Sequence, residues 1–209
     1  MKFIDTHSHL YSSQFNDDRT QVVNNAIANG VSTILLPNIS SKYTKGMLAL
    51  CAEFPNNCYP MMGLHPCDVS EENFKHEIAH VEKELETGKY TAVGEIGLDL
   101  HWDKSTLEIQ KKAFIHQVKL AKKYKLPIAI HVRESFAEAI ELIEKLNDEN
   151  LMEAERNKIM SFYENFKSIC DKNKQKQQVI KSGTNVILHT VSLSGFTYHN
   201  MKMGAIQLD

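Results

Sequence analysis

The amino-acid sequence predicts an α/β protein of the TIM-type (β/α)-barrel class, and three observations carry that expectation. Short apolar runs alternate with longer amphipathic ones along most of the chain. Several of the apolar runs are nearly continuous in Ile, Leu, Val and Met, as strands covered on both faces should be. Four of them place a His or Glu at or near the C-terminal end, the side of an α/β barrel on which active sites form.

The strand-like runs fall at residues 2–5, 31–36, 59–64, 91–98, 126–132 and 185–188. Between the first two, residues 16–29 read as a helix carrying Val22, Val23, Ala26 and Ile27, with Gly30 where a C-cap glycine belongs. Phe74, Ile78, Val81 and Leu85 recur at steps of four, three and four, which is one face of a helix. Ser70 and Asn73 make half a capping box before it, and Glu71 and Glu72 favour a helix N-terminus. Ile109, Ala113, Val118 and Ala121 stripe another helix running up to Leu126-Pro127. Repeated strand–helix units imply parallel strands with right-handed crossovers. A closed barrel and an open doubly wound sheet both satisfy this order. No GxGxxG follows the first strand, which weakens the dinucleotide-binding form of the open sheet.

The organisation changes near Asn147. Residues 152–171 read as a helix with Ile159, Phe162, Phe166 and Ile169 on one side, and residues 172–181 are polar, basic and aperiodic. The plain reading is an inserted helix with a solvated tail. The alternative is a basic lip that steers a phosphate-bearing substrate. One domain over residues 1–209, with an insertion at about 151–182, is the expected organisation.

Composition removes several classes of function. With 42% hydrophobic residues, 24% charged residues and a net charge of −2, the chain lacks the strongly basic balance that a broad nucleic-acid-binding face usually brings. A nucleic-acid substrate must then be held by a local patch or by metal ions. Cys51, Cys58, Cys67 and Cys170 are scattered and form no CxxC pair, which argues against a disulfide framework or a zinc knuckle. The N-terminus has no secretory h-region and no apolar run is long enough for a membrane span, so the expected address is the cytoplasm, with no membrane partner.

The chemistry-bearing residues begin at His7-Ser8-His9, which closes the first strand run. Residues i and i+2 of a strand point to one side, so both imidazoles face the same space and make half of a metal site. An isolated HxH is weak evidence, and the later spacing strengthens it. Glu95 lies inside the apolar run Val93-Gly94-Glu95-Ile96-Gly97, where a carboxylate is costly to bury without a cation or a donor. His65 and His131 end two further apolar runs. A shared metal site accounts for these placements at once, whereas the alternative gives each buried polar group its own unrelated partner.

The stretches FIDTHSHL at the start, GLHPCDV at 63–69, VGEIGLD at 93–99 and LPIAIHVRES at 126–135 resemble the TatD-type metal-dependent deoxyribonucleases, a family of the amidohydrolase-like barrels. The resemblance covers roughly residues 1–150 in register. It implies a (β/α) barrel, one or two divalent ions and hydrolysis of phosphodiester bonds in DNA. Matched position by position, it implies that His7 and His9 bind the first metal, that Glu95 bridges and that His131 binds the second. His65 matches the family's pocket histidine, which would meet a phosphate oxygen or a leaving group; a plain core histidine is the alternative. Asp99 and Arg133 also sit at strand ends, to orient a ligand, to bind substrate or to pair with each other.

Further along, the match wears thin. His189, ending Asn185-Val186-Ile187-Leu188, stands where the family has a metal-binding histidine, but much later in the chain. Met203-Gly204-Ala205-Ile206 would open a further strand. The family's Thr-Asp-Ser/Ala-Pro-like motif, whose aspartate binds the first metal, is not found, and such barrels take about 250 residues. The expectation is a barrel incomplete at its C-terminal side, with open edges that favour self-association.

If the site forms, cations held roughly 3.5–4 Å apart activate a water and clamp the phosphoryl oxygens. Histidine and carboxylate ligands suit zinc or manganese, and magnesium also serves. The leading expectation is hydrolysis of DNA phosphodiester bonds at a strand end. The rivals are an amidohydrolase-like reaction on a small amide, lactone or phosphate ester, and a metal-binding protein without turnover.

Overall fold

The computed structural model describes residues 2–146, 179–181 and 186–190, the last two segments by their backbone. Strands and helices alternate in chain order: β1 (Phe3–Asp5), α1 (Arg19–Ala28), β2 (Val31–Pro37), α2 (Ser41–Glu53), β3 (Cys58–Met61), α3 (Phe74–Leu85), β4 (Val93–Asp99), α4 (Leu107–Tyr124), β5 (Ile128–Arg133), α5 (Phe136–Leu146), β6 (Val179–Lys181) and β7 (Val186–Thr190). This is the α/β alternation that the sequence predicts.

β1, β2 and β3 pair in parallel in that order, and β4, β5 and β7 do the same. A parallel bridge between Met62 and Val93 joins the two sets, reinforced by Gly94 N–H donating to the Met62 carbonyl at 2.9 Å. The described strands do not close into a ring, so the expected closure is not part of the described structure.

The parallel order explains the apolar runs. Every residue of β4 is buried, and Ile34, Leu36, Met62, Ile96, Leu98 and Ile130 from the strands meet Ile78, Val81, Phe114 and Val118 from the helices in one core. Ser70 and Asn73 form a reciprocal pair: Asn73 N–H donates to Ser70 Oγ at 3.3 Å, and Ser70 N–H to Asn73 Oδ1 at 2.8 Å. Asparagine thus completes the box that the sequence left half made.

Two differences from the sequence reading stand out. Residues 179–181, read as part of an aperiodic tail, form β6, antiparallel to β7 with Ile180 opposite Leu188. The ladder to β7 supplies the order that their own composition lacks. β5 runs on to Arg133, so His131 lies inside the strand, not at its end. The helix expected at 152–171 and the strand expected at Met203–Ile206 lie outside the described residues, as does Cys170. Among the described residues, Cys51, Cys58 and Cys67 are free thiols, and no helix is long and apolar enough to cross a membrane.

Candidate metal centre

Glu95 is the focus of the site. It is 2% exposed, and imidazoles converge on its carboxylate from two sides. On one side His7 Nε2 lies 3.1 Å and His9 Nε2 3.4 Å from Glu95 Oε2. On the other, His131 Nδ1 is 2.9 Å and His65 Nε2 3.8 Å from Oε1. Donor atoms of His7, His9 and Glu95 lie within 4.8 Å of one another, as do those of His65, Glu95 and His131; either group could hold a metal ion. Burial pushes the Glu95 carboxyl up, but His7, His65 and His131 outweigh it and hold the group well below the usual carboxylate range.

The backbone around Glu95 is shaped for this approach. Glu95 N–H donates to the carbonyl of the buried Asn38 at 3.1 Å, which ties β4 to the end of β2. Gly97 sits at φ +149°, and a Cβ there would stand 1.9 Å from the His131 carbonyl oxygen. Only glycine lets β5 carry His131 this close to β4. At Gly63 a Cβ would meet the Gly94 backbone at 2.7 Å, so the chain leading to His65 also depends on a missing side chain.

The hydrogen bonds fix the tautomers of His9 and His65. Tyr11 donates its hydroxyl to the Pro37 carbonyl, so its oxygen accepts the Nδ1–H of His9 at 2.7 Å. That leaves the Nε2 lone pair of His9 facing Glu95 and His7. His7 Nε2 and His9 Nε2 are 3.1 Å apart, close enough to share a proton between them. Cys67 N–H donates to His65 Nδ1 at 3.1 Å. The neutral His65 ring therefore carries its proton on Nε2, which points a donor, not a lone pair, toward Glu95. Burial, with His131 and His9 nearby, drives His65 down to about 3 against the pull of Glu95, so the ring is neutral at ordinary pH. His65 meets the distance test for a ligand but fails on chemistry.

His131 has a carboxylate at each nitrogen. Asp99 Oδ2 is 2.8 Å from Nε2, opposite the 2.9 Å contact of Nδ1 with Glu95. Burial lowers the ring's pKa, but these two hydrogen bonds outweigh it and raise His131 to about 9. Asp99 is raised by burial and lowered more by His131 and the His101 N–H, to about 2. An ion would replace the Nδ1 proton while Asp99 keeps Nε2–H, the carboxylate–histidine arrangement that fixes a ligand's tautomer. The donor set therefore fits a divalent ion.

Asp99 thus spends its oxygens on His131 and His101, and the Asp99–Arg133 ion pair offered as an alternative is absent among the described residues. The Arg133 guanidinium lies 5.2 Å over the Trp102 ring instead. His189 stands on β7 with its Cα in register beside that of His131.

Sequence reasoning missed the residues that hold the site from behind. Gln110 and Gln117, both buried on α4, clamp the backbone like tongs. Gln117 accepts the Leu64 N–H at 2.7 Å and donates to the Leu64 carbonyl at 3.2 Å, next to His65. Gln110 does the same at Asp99, at 2.8 and 2.9 Å. Their one sequence signal is their place on the apolar stripe of α4, two turns apart.

A family model described as TatD-related DNase matches residues 4–194. Among curated proteins, the chain is 32% identical over 141 residues to the uncharacterized metal-dependent hydrolase YabD of Bacillus subtilis, covering 68% of this chain and 54% of YabD. It is 33% identical over 136 residues to the 3′-5′ ssDNA/RNA exonuclease TatD of Pectobacterium parmentieri, covering 64% of this chain and 51% of that protein. The crystal structure of the TatD homologue YjjV from Escherichia coli superposes with a TM-score of 0.62 at 32% identity, over 69% of this chain and 56% of YjjV. The chain spans about half the length of the curated relatives it matches.

Proposed function

Because the chain belongs to the TatD-related DNase family, we propose that it is a metal-dependent hydrolase that cuts phosphodiester bonds of DNA at a strand end. The buried Glu95 carboxylate, with His7 and His9 on one oxygen and His131 on the other, carries this reading. We assign His7, His9 and Glu95 to one ion and Glu95 with His131 to a second, and propose His189, whose Cα is in register with that of His131, as a further ligand. Residues 1–209 form, in this reading, one TIM-type barrel domain, with the insertion proposed at 151–182 taking in β6.

Magnesium, manganese or zinc bound there supplies Lewis acidity, which lowers the pKa of the attacking water and offsets charge on the phosphoryl oxygens. The protein's own groups do the rest. Asp99 keeps the His131 Nε2 proton and so turns Nδ1 toward the centre. Tyr11 does the same for His9 through the other ring nitrogen. His65 offers its Nε2–H to a phosphate or leaving oxygen as a neutral donor in a buried setting, where such a bond is worth most. Glu95 is ionised at neutral pH and is the catalytic carboxylate assigned to share its two oxygens between the ions that would activate the attacking water. Arg133, at the end of β5, is assigned to meet a phosphate of the substrate.

Metal-loaded protein incubated with DNA, a phosphomonoester and a panel of amides tests the assignment. Hydrolysis of DNA that a chelator abolishes is the expected result. Turnover of amides alone would make it another amidohydrolase-like enzyme. Bound metal with no turnover of any substrate would make it a binding protein.

A further inference from the structure

Trp102 is 73% exposed, the largest exposure among the chain's large apolar side chains described as exposed. An indole in that position gives up burial, and the surrounding contacts hold it there. The Arg133 guanidinium lies 5.2 Å over its ring, and His101 packs against it edge-on with centroids 4.7 Å apart. His101 is itself anchored, by Glu134 at 2.8 Å from Nδ1 and by its N–H on Asp99 at 2.9 Å. The indole is thus braced from behind and open in front.

Its place beside the metal centre gives it meaning. Trp102 follows the C-terminal end of β4, three residues beyond Asp99, which holds His131. Arg133 and His131 are i and i+2 on β5, so they share a side, roughly 6.6 Å apart along the strand. That is about the reach of one nucleotide in an extended chain. Arg133 Nε is buried with no hydrogen-bond partner, and among the described residues no carboxylate takes the guanidinium. Stacking holds this cation, and among the described residues its charge is uncommitted.

We propose that Trp102, backed by Arg133, is the base-stacking platform of a single-stranded nucleic-acid subsite one nucleotide from the metal centre. The proposal rests on the nuclease reading above and adds the residue that would hold an unpaired end, whose base is free to leave its own stack. A base flat on the indole tolerates any sequence, because every base has a π-face, and the guanidinium supplies charge for the adjoining phosphate. A chain with net charge −2 gains from such a local device to hold a polyanion.

Trp102 is the only tryptophan in the sequence, so its fluorescence reports on this subsite alone. The metal-loaded protein is titrated with a cleavage-resistant phosphorothioate oligothymidylate, with the same backbone carrying abasic sugars, and with a blunt duplex, while anisotropy of a label follows binding. The expected result is quenching by oligothymidylate and none by the abasic chain, with weaker binding of the duplex. Trp102→Ala should bind oligothymidylate about 5- to 100-fold more weakly, and Trp102→Phe should keep most of the affinity. Metal content in both variants should equal that of the parent, which separates lost stacking from a damaged site. Oligothymidylate that binds without changing the emission, and binds Trp102→Ala equally well, would overturn the stacking platform and leave the nuclease reading standing. No binding or cleavage of any nucleic acid, with turnover of an amide or phosphomonoester, would overturn both.

Discussion

The two clusters that share Glu95 are held by opposite means. The His7/His9 side hangs from the segment after β1 and is oriented by a hydroxyl, Tyr11, with His9 partly open to solvent at 23% side-chain exposure. The His131 side is carried by two adjacent buried strands, oriented by a carboxylate, Asp99, and clamped from behind by glutamines on α4. A charged acceptor in a buried setting binds an imidazole N–H about twice as strongly as a neutral one. The His131 side should therefore be the more rigid, and in the absence of metal it fills itself with a proton.

The comparison breaks at once if Glu95 does not join the clusters. Glu95→Gln removes the carboxylate both sides share, and elemental analysis should show metal lost from the whole centre, with DNA hydrolysis below detection. Retention of the parent's metal content would show that the ligands lie elsewhere. Asp99→Asn should have a smaller effect confined to the His131 side. It weakens that ion by about 10- to 100-fold, as the loss of a partner behind a ligating imidazole does, while the His7/His9 ion stays. Tyr11→Phe is the mirror test and should weaken the His7/His9 ion by about tenfold, since a neutral acceptor is lost. Equal losses from both ions in either variant would contradict the division into two sides.

Protonation sharpens the contrast. His131, raised in the fold to about 9 from an ordinary 6.5, contributes stability to the ion-free chain that is fully present below pH 6.5 and lost as pH rises through 9. Asp99 gives the same pair its other limit: its contribution is present above its unfolded pKa and lost as pH falls through about 2. Thermal melts of chelator-treated protein should therefore drop in Tm between pH 6.5 and 9. With metal bound the His131 proton is displaced, and that drop should vanish. An identical pH profile with and without metal would place the ion away from His131.

Much of this was legible in the sequence, for a physical reason. A parallel strand covered on both faces must be apolar, so β2, β4 and β5 announce themselves, and a carboxylate such as Glu95 inside one is conspicuous. α2 left a weaker sign: it buries only Thr44, Met47 and Leu50, a stripe with a polar residue in it. α5 carries Phe136, Ala139, Ile143 and Leu146 at helical spacing, a sign the sequence reading did not use. β6 was hidden because its order comes from pairing with β7. Tyr11, Gln110 and Gln117 were hidden for a related reason. A hydroxyl or amide reads as solvated surface until a tertiary contact gives it a backbone group or a ring nitrogen to satisfy. The same holds for His65, whose neighbours on the sequence do not reveal which nitrogen keeps the proton.

The most direct test of the two-sided centre is anomalous diffraction from crystals soaked in zinc or manganese. The account predicts one peak within coordination range, about 2.0–2.2 Å, of His7 Nε2, His9 Nε2 and a Glu95 oxygen. It predicts a second on His131 Nδ1 and the other Glu95 oxygen, with His65 Nε2 outside both coordination spheres. A peak bonded to His65 Nε2, or peaks that leave Glu95 without an ion, would contradict it.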